Sequence, residues 1–290
     1  MLQERAFFIA KRFVAGERIQ DAIATVQQLN DLGMSTSIDF LGEDVHSAQD
    51  AAAVREEYLR LLDALAVAGA RSNVSVKLTA LGLLIDQNLC LENLRAIAAR
   101  AADTTAHRLL DPFVRINMEG STLTEITLQT FERIFVTHRN VGVVLQAYLH
   151  RTPQDLERVL TLGARVRLCK GAYKESPQIA YKDMPAIRRA FIHLAKTVLT
   201  RGEYPAIATH DERLHYAVKS FAAEHGIGKE RFEFQLLYGV RPDLQRKLVD
   251  EGYSVRVYVP YGTHWAQYFY RRIRERRENA FLALRALVGR

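Results

Sequence analysis

The sequence predicts an α/β fold: a closed TIM-type (β/α)8 barrel carrying one or more extra N-terminal helices. Three observations predict it. Short β-rich runs alternate with runs of helical period along the chain. Eight strand runs can be counted, each followed by a helix, at a spacing of roughly 30 residues. The glycine fingerprints of open nucleotide-binding sheets are missing, because no G-x-G-x-x-G follows the first strand and no G-x-x-x-x-G-K-[ST] occurs. Those absences speak against a doubly wound sheet, and no fixed-period identity supports a solenoid.

The elements follow in order. An amphipathic helix over about residues 18–32 opens the pattern. The strand runs are then STSIDFLG (35–42), VSVKLTAL (74–81), FVRINME (113–119), VGVVLQAY (141–148), RVRLCKGAY (165–173), AIATHD (206–211), FEFQLLYG (232–239) and SVRVYVPYG (254–262). Between them lie stretches such as AQDAAAVREEYLRLLDALAVAG and PAIRRAFIHLAKTVLTRG, whose apolar residues recur at three-and-four spacing and which end at glycine. Residues 1–32 are expected to form an N-terminal helical segment, and 33–290 the barrel of a single domain.

Composition agrees. A chain of 290 residues, 48% hydrophobic, buries one substantial core, and 25% charged residues without low-complexity tracts argue against disorder. The net charge of +7 raises nucleic acid or an anionic membrane as partners. No aromatic-interleaved basic stripe accompanies it, and much of the excess sits in the last quarter, so no nucleic acid is expected. Two cysteines, Cys90 and Cys169, are too few for a disulfide scaffold and fit a reducing compartment. The first residues do not read as a signal peptide, and no apolar run is long enough to span a bilayer. A cytoplasmic location is expected.

Active sites of such barrels lie at the carboxyl ends of the strands. There the runs carry Asp39, Lys77, Asn117, Glu119, Gln146, Arg167, Lys170, Thr209, His210, Gln235 and Tyr258. Lys77, Arg167, Lys170, Arg271 and Arg272 concentrate positive charge at one mouth, with Asp39, Glu119 and Glu275 as counterweights, so the site suits an anion. The nine histidines show no metal-ligand spacing, so no metal is expected, and no G-x-S-x-G elbow marks a serine nucleophile. Alternation along the fifth strand predicts that Cys169, beside Lys170, faces the helices.

The stretches VSVKLTALGL, VRINME, VLQAYL, VRLCKGAY, ATHD, FEFQLLYGV and VYVPYGTHWAQYFYRRIRE occur in that order. Together they resemble proline dehydrogenase, a flavin-dependent (β/α)8 enzyme, in its short monofunctional bacterial form, and the likeness covers nearly the whole chain. The resemblance implies FAD-dependent oxidation of L-proline to Δ1-pyrroline-5-carboxylate, with electrons passing to a quinone or other acceptor. It implies that Arg271, Arg272 and Lys77 hold the substrate carboxylate, with Glu275 on the same helix. Tyr258, Leu168 and Tyr173 would line the substrate pocket. Met118, Gln146, Lys170, Gly171, Ala172, Thr209 and His210 would bind FAD, and Arg167 would lie beside the flavin and take part in catalysis with Asn117.

The residue types suit these roles. Paired guanidiniums offer planar forks for a carboxylate, and Glu275, three and four residues from the arginines, can brace them. A flavin needs donors at its pyrimidine edge and a positive group near the ring. The basic surface suggests weak peripheral contact with an anionic membrane, although no amphipathic anchor is evident. At Asn117 the family usually carries aspartate, and three readings are open. The neutral amide suffices, or Glu119 supplies the missing charge, or the substrate has shifted to another cyclic or secondary amino acid such as hydroxyproline. A non-catalytic ligand-binding relative is the remaining alternative.

Overall fold

The computed structural model describes residues 12–42, 45–103, 109–266 and 268. Among them eight parallel strands form a closed barrel: β1 (Ser35–Phe40), β2 (Ser72–Val76), β3 (Val114–Ile116), β4 (Val141–Gln146), β5 (Arg165–Cys169), β6 (Ala206–Ala208), β7 (Glu233–Leu237) and β8 (Ser254–Tyr261). Each strand hydrogen-bonds to the next in sequence, and β8 closes on β1 with Ser37 opposite Tyr258. Helix α1 (Ile19–Asp31) precedes the barrel. Seven more alternate with the strands: α2 (Ala48–Val67), α3 (Gln87–Ala102), α4 (Thr124–Phe135), α5 (Thr152–Thr161), α6 (Met184–Arg201), α7 (Glu212–Glu224) and α8 (Pro242–Asp250). Residues 265–266 begin a helix after β8.

All eight strand runs are present, but several stop early. β2 ends at Val76, β3 at Ile116 and β6 at Ala208, so Lys77, Asn117 and Thr209 lie just beyond the ladder. Asn117 N still donates to Val76 O at 2.8 Å and Thr209 N to Gln235 O at 3.2 Å, which anchors these residues at the mouth, where function concentrates.

The helices follow from capping and periodicity. In α2 the Ser47 hydroxyl accepts from Asp50 N, and Asp50 reaches back to the Ser47 amide. The buried face runs through Ala51, Val54, Tyr58, Leu61, Leu62 and Leu65. Tyr58 then crosses to the barrel, donating to Ser75 O at 2.7 Å and accepting from Phe40 N at 3.1 Å. That links α2 to the ends of two strands bearing mouth residues.

Charge also closes the opposite end of the barrel. The Arg256 guanidinium donates to both Glu233 oxygens, pairs with Asp111 at 2.8 Å and donates to Thr36 O. Arg115 donates to Arg165 O at 2.7 Å across Gly142, where a Cβ would lie 2.7 Å from the Arg115 Nη1. Gln235, expected at the mouth, is drawn into this lower network by donating to Glu233. No helix among the described residues is long and apolar enough to cross a membrane.

Candidate active site

Alternation turns Ser37 and Asp39 of β1, Ser75 of β2 and Arg167 of β5 into the barrel, and Lys77 and Asn117 continue the inward faces of β2 and β3. Arg167 is buried and donates to Asn117 Oδ1 at 3.1 Å, Ser75 Oγ at 3.1 Å and Ser37 Oγ at 3.3 Å. Its guanidinium also sits 5.5 Å from the centre of the Tyr258 ring. Burial lowers the Arg167 pKa from its usual range.

Asn117 connects this cation to an acid. Its amide nitrogen lies 3.3 Å from Asp39 Oδ1 and 3.3 Å from the Tyr258 hydroxyl, while its oxygen faces Arg167. Asp39 is fully buried, and its Oδ2 lies 3.8 Å from Lys77 Nζ. Burial first, and the Asp39 charge second, push the Tyr258 hydroxyl well above the ordinary phenol range, so it remains a neutral donor. Glu119 turns elsewhere: Thr79 donates to it from its hydroxyl at 2.7 Å and from its backbone N at 3.3 Å.

A second group gathers beyond β4, β5 and β6. Gln146 ends β4 with its side chain buried and its Oε1 without a hydrogen-bond partner. Gly171 takes φ +106°, and a Cβ there would lie 2.2 Å from the Tyr148 ring. Lys170 Nζ lies 3.5 Å from Asp211 Oδ2, which also accepts from Arg188 Nε at 2.7 Å. Burial raises the Asp211 pKa, but Arg188 and Lys170 prevail and hold it below the usual carboxylate range. The other Asp211 oxygen accepts from Arg213 N at the start of α7.

His210 Nε2 accepts from Leu237 N at 2.9 Å. A backbone amide can only donate, so the ring proton sits on Nδ1. Thr209 is buried, and its carbonyl accepts from His215 Nε2 at 2.9 Å. Burial pushes His215 down to about 4, outweighing that bond. Its folded value lies below the ordinary 6.5 or so, so its stabilising neutrality is complete above about pH 6.5 and is lost as pH falls toward 4. Urea unfolding across that window should show a loss on the order of 3 kcal/mol that His215→Gln abolishes.

The loops beyond β3 and β5 are joined across the mouth, where Glu175 accepts from Ser121 N at 2.8 Å and Ser121 Oγ at 2.5 Å. Tyr173 on the β5 loop is 36% exposed, whereas Met118 and Leu168 are buried. Leu168 lies in the main apolar core, on the face of β5 opposite Arg167. Ala172 is half-buried beside Gly171. Cys169 shares the inward parity of Arg167 and donates to Leu145 O at 3.5 Å, instead of turning to the helices as expected. Arg271, Arg272 and Glu275 lie outside the described residues.

Ser37, Ser75, Asp211, Arg188 and Tyr148 were not singled out from the sequence. The serines had a usable signal, because each stands two residues before an expected mouth residue on its strand. No metal-holding group of His, Cys, Asp or Glu occurs among the described residues.

Comparison with known proteins gives one result throughout. A family model described as proline dehydrogenase matches residues 22–282. The chain is 42% identical over 279 residues to "Proline dehydrogenase 1" of Bacillus subtilis (strain 168), covering 96% of this chain and 90% of that one. It is 38% identical to "Proline dehydrogenase" of Deinococcus radiodurans, covering 99% and 93%. Among solved structures, proline utilization A from Bdellovibrio bacteriovorus, inactivated by N-propargylglycine, superposes with a TM-score of 0.85 at 26% identity. That match covers 94% of this chain and 33% of the larger protein, so the chain spans about a third of its length.

Proposed function

The chain belongs to the proline dehydrogenase family, and on that premise we propose that it oxidises L-proline to Δ1-pyrroline-5-carboxylate with FAD, passing electrons to a quinone-type acceptor. The observation carrying the reading is the convergence of Lys77, Asn117, Arg167 and Tyr258, from four strands, beside the Gln146–Gly171–His210 group. Lys77, with Arg271 and Arg272, is assigned the substrate carboxylate, and Glu275 is assigned to brace the arginines. Tyr258 and Tyr173 are assigned to the substrate ring, whereas Leu168, expected there too, packs in the apolar core on the opposite face of β5 from Arg167.

The second group fits a flavin. Gln146 brings a buried amide oxygen in need of a donor, and His210 presents an Nδ1 proton. At Gly171 the left-handed backbone and the Tyr148 ring leave no room for a side chain, which fixes the course of the loop that carries Lys170 and Ala172. Lys170 brings an ammonium group, and Met118, Ala172 and Thr209 are assigned to the same cradle. Arg167 holds positive charge below it. When bound, FAD supplies the hydride acceptor. The residues themselves orient the amino acid, exclude water and keep the Tyr258 hydroxyl protonated.

The basic chain suits a cytoplasmic enzyme touching an anionic membrane to reach its acceptor. The test is direct. Purified protein should be yellow after FAD loading and should bleach anaerobically on addition of proline, and added quinone should restore the colour. Stronger bleaching by hydroxyproline or pipecolate would shift the substrate assignment. A protein that stays colourless with FAD would refute the enzymatic reading.

A further inference from the structure

We propose that Asp39 is the anionic centre of the substrate site and that Asn117 serves as an uncharged two-way bridge, donating to Asp39 while accepting from Arg167, so that among the described residues the Arg167–Asn117–Asp39 chain carries a single carboxylate. The inference rests on the functional reading above and assigns Asp39 and Asn117 as positioning residues within that site.

The geometry sets a chemical requirement at position 117. Arg167 has only donors to offer and needs an acceptor, which it finds at 3.1 Å. Asp39 Oδ1 has only acceptor capacity and needs a donor, which it finds at 3.3 Å. One short side chain must meet both, and an amide does. A carboxylate would satisfy Arg167 and turn its other oxygen toward Asp39 at hydrogen-bond distance. Two carboxylates that close cannot both ionise readily, so one proton is retained between them.

The surroundings are charged on several sides. Lys77, beyond β2, faces Asp39 at 3.8 Å. Tyr258 on β8 faces Asn117 at 3.3 Å and also hydrogen-bonds Asp39, so Asn117 shares that acid with the phenol, and Tyr268, after β8, acts on Tyr258. Arg167 approaches from β5. Glu119, the other acid near Asn117 in sequence, is engaged by Thr79 and does not replace the missing charge. Of the three readings open at Asn117, the neutral amide is the one this arrangement favours. Asp39, with Lys77 and Tyr258 around it, carries the negative charge.

The experiment compares wild type, Asn117→Asp and the exchange variant Asp39→Asn/Asn117→Asp, as full-length FAD-loaded protein, from about pH 4 to about pH 9. A carboxylate pair sharing a proton has one folded pKa raised above the ordinary aspartate value. Its destabilisation is therefore absent near pH 4 and grows as pH rises through the raised value. Asn117→Asp should match wild type near pH 4 and fall behind by about 4 °C or more in unfolding midpoint near pH 9. Its kcat/KM for proline should drop roughly tenfold relative to wild type over the same span. The exchange variant holds one carboxylate again and should lose the pH step in both readouts, whatever its absolute activity.

An Asn117→Asp protein that folds only at acid pH would show the same step in its extreme form. Unfolding curves of Asn117→Asp that parallel wild type at every pH would overturn the proposal, as would an equal step in the exchange variant or failure of both variants to fold at any pH. The unfolding arm needs no turnover. A wild type that ignores proline would therefore refute the functional reading and leave this test standing.

Discussion

Arg167→Met should leave the barrel folded and lower kcat for proline by about 100- to 1000-fold, a loss typical of removing a preorganised charged donor from an active site. The separation of stability from activity is the informative part. Arg167 is buried, and among the described residues it donates to two serine hydroxyls and an amide oxygen and to no carboxylate. Methionine fills similar volume without the cost of burying a charge, and such replacements are often neutral or stabilising. Ser37 and Ser75 can keep their mutual bond at 2.9 Å. Asn117 Oδ1 loses its donor, Tyr258 loses the guanidinium beside its ring, and on the proposed reading the flavin loses its nearby positive charge. Steady-state kinetics beside urea unfolding would decide the matter: collapse of both together makes Arg167 a structural residue, and unchanged kinetics removes it from the site.

Gly171→Ala should strip the protein of cofactor. The added methyl would meet three Tyr148 ring atoms between 2.2 and 2.7 Å, on a backbone at φ +106° that L-residues rarely adopt. Tyr148 is itself buried and cannot swing freely into solvent. The strand-end loop must therefore shift, and a displacement of even an ångström at a ligand cradle costs orders of magnitude in function. Flavin retained per chain after dialysis should fall at least about tenfold, and the unfolding midpoint should drop by several degrees. Adding Tyr148→Ala removes the collision while leaving the backbone strain, so partial recovery of flavin is expected. Full flavin content in Gly171→Ala would show that the loop is not the cradle.

The legible and illegible parts of the molecule divide along a physical line. Strand and helix order could be read because periodicities of two and of three-to-four residues are local properties of each face. Tyr58 and Leu61 share the buried side of α2 for that reason. Strand ends were not legible. FVRINME reads as one continuous strand, yet β3 stops at Ile116. Its composition does not change there, and only the pairing with β2 and β4 shows the end, since both ladders stop at Ile116. Gln235 was misplaced for a similar reason, since Glu233 below it accepts from its amide as well as from Arg256.

The chain order of residues thus established the eightfold alternation, the polar termini of the strands and the family motifs, because each depends on neighbours within about one turn or one strand. Which polar groups meet was decided by closure of the barrel. Arg167 reaches Ser37 across 130 positions of sequence, and Asn117 meets Tyr258 across 141. Those encounters depend on stagger between distant strands, a three-dimensional quantity with no one-dimensional period, and they turned a scatter of serines, an acid and an amide into one connected network.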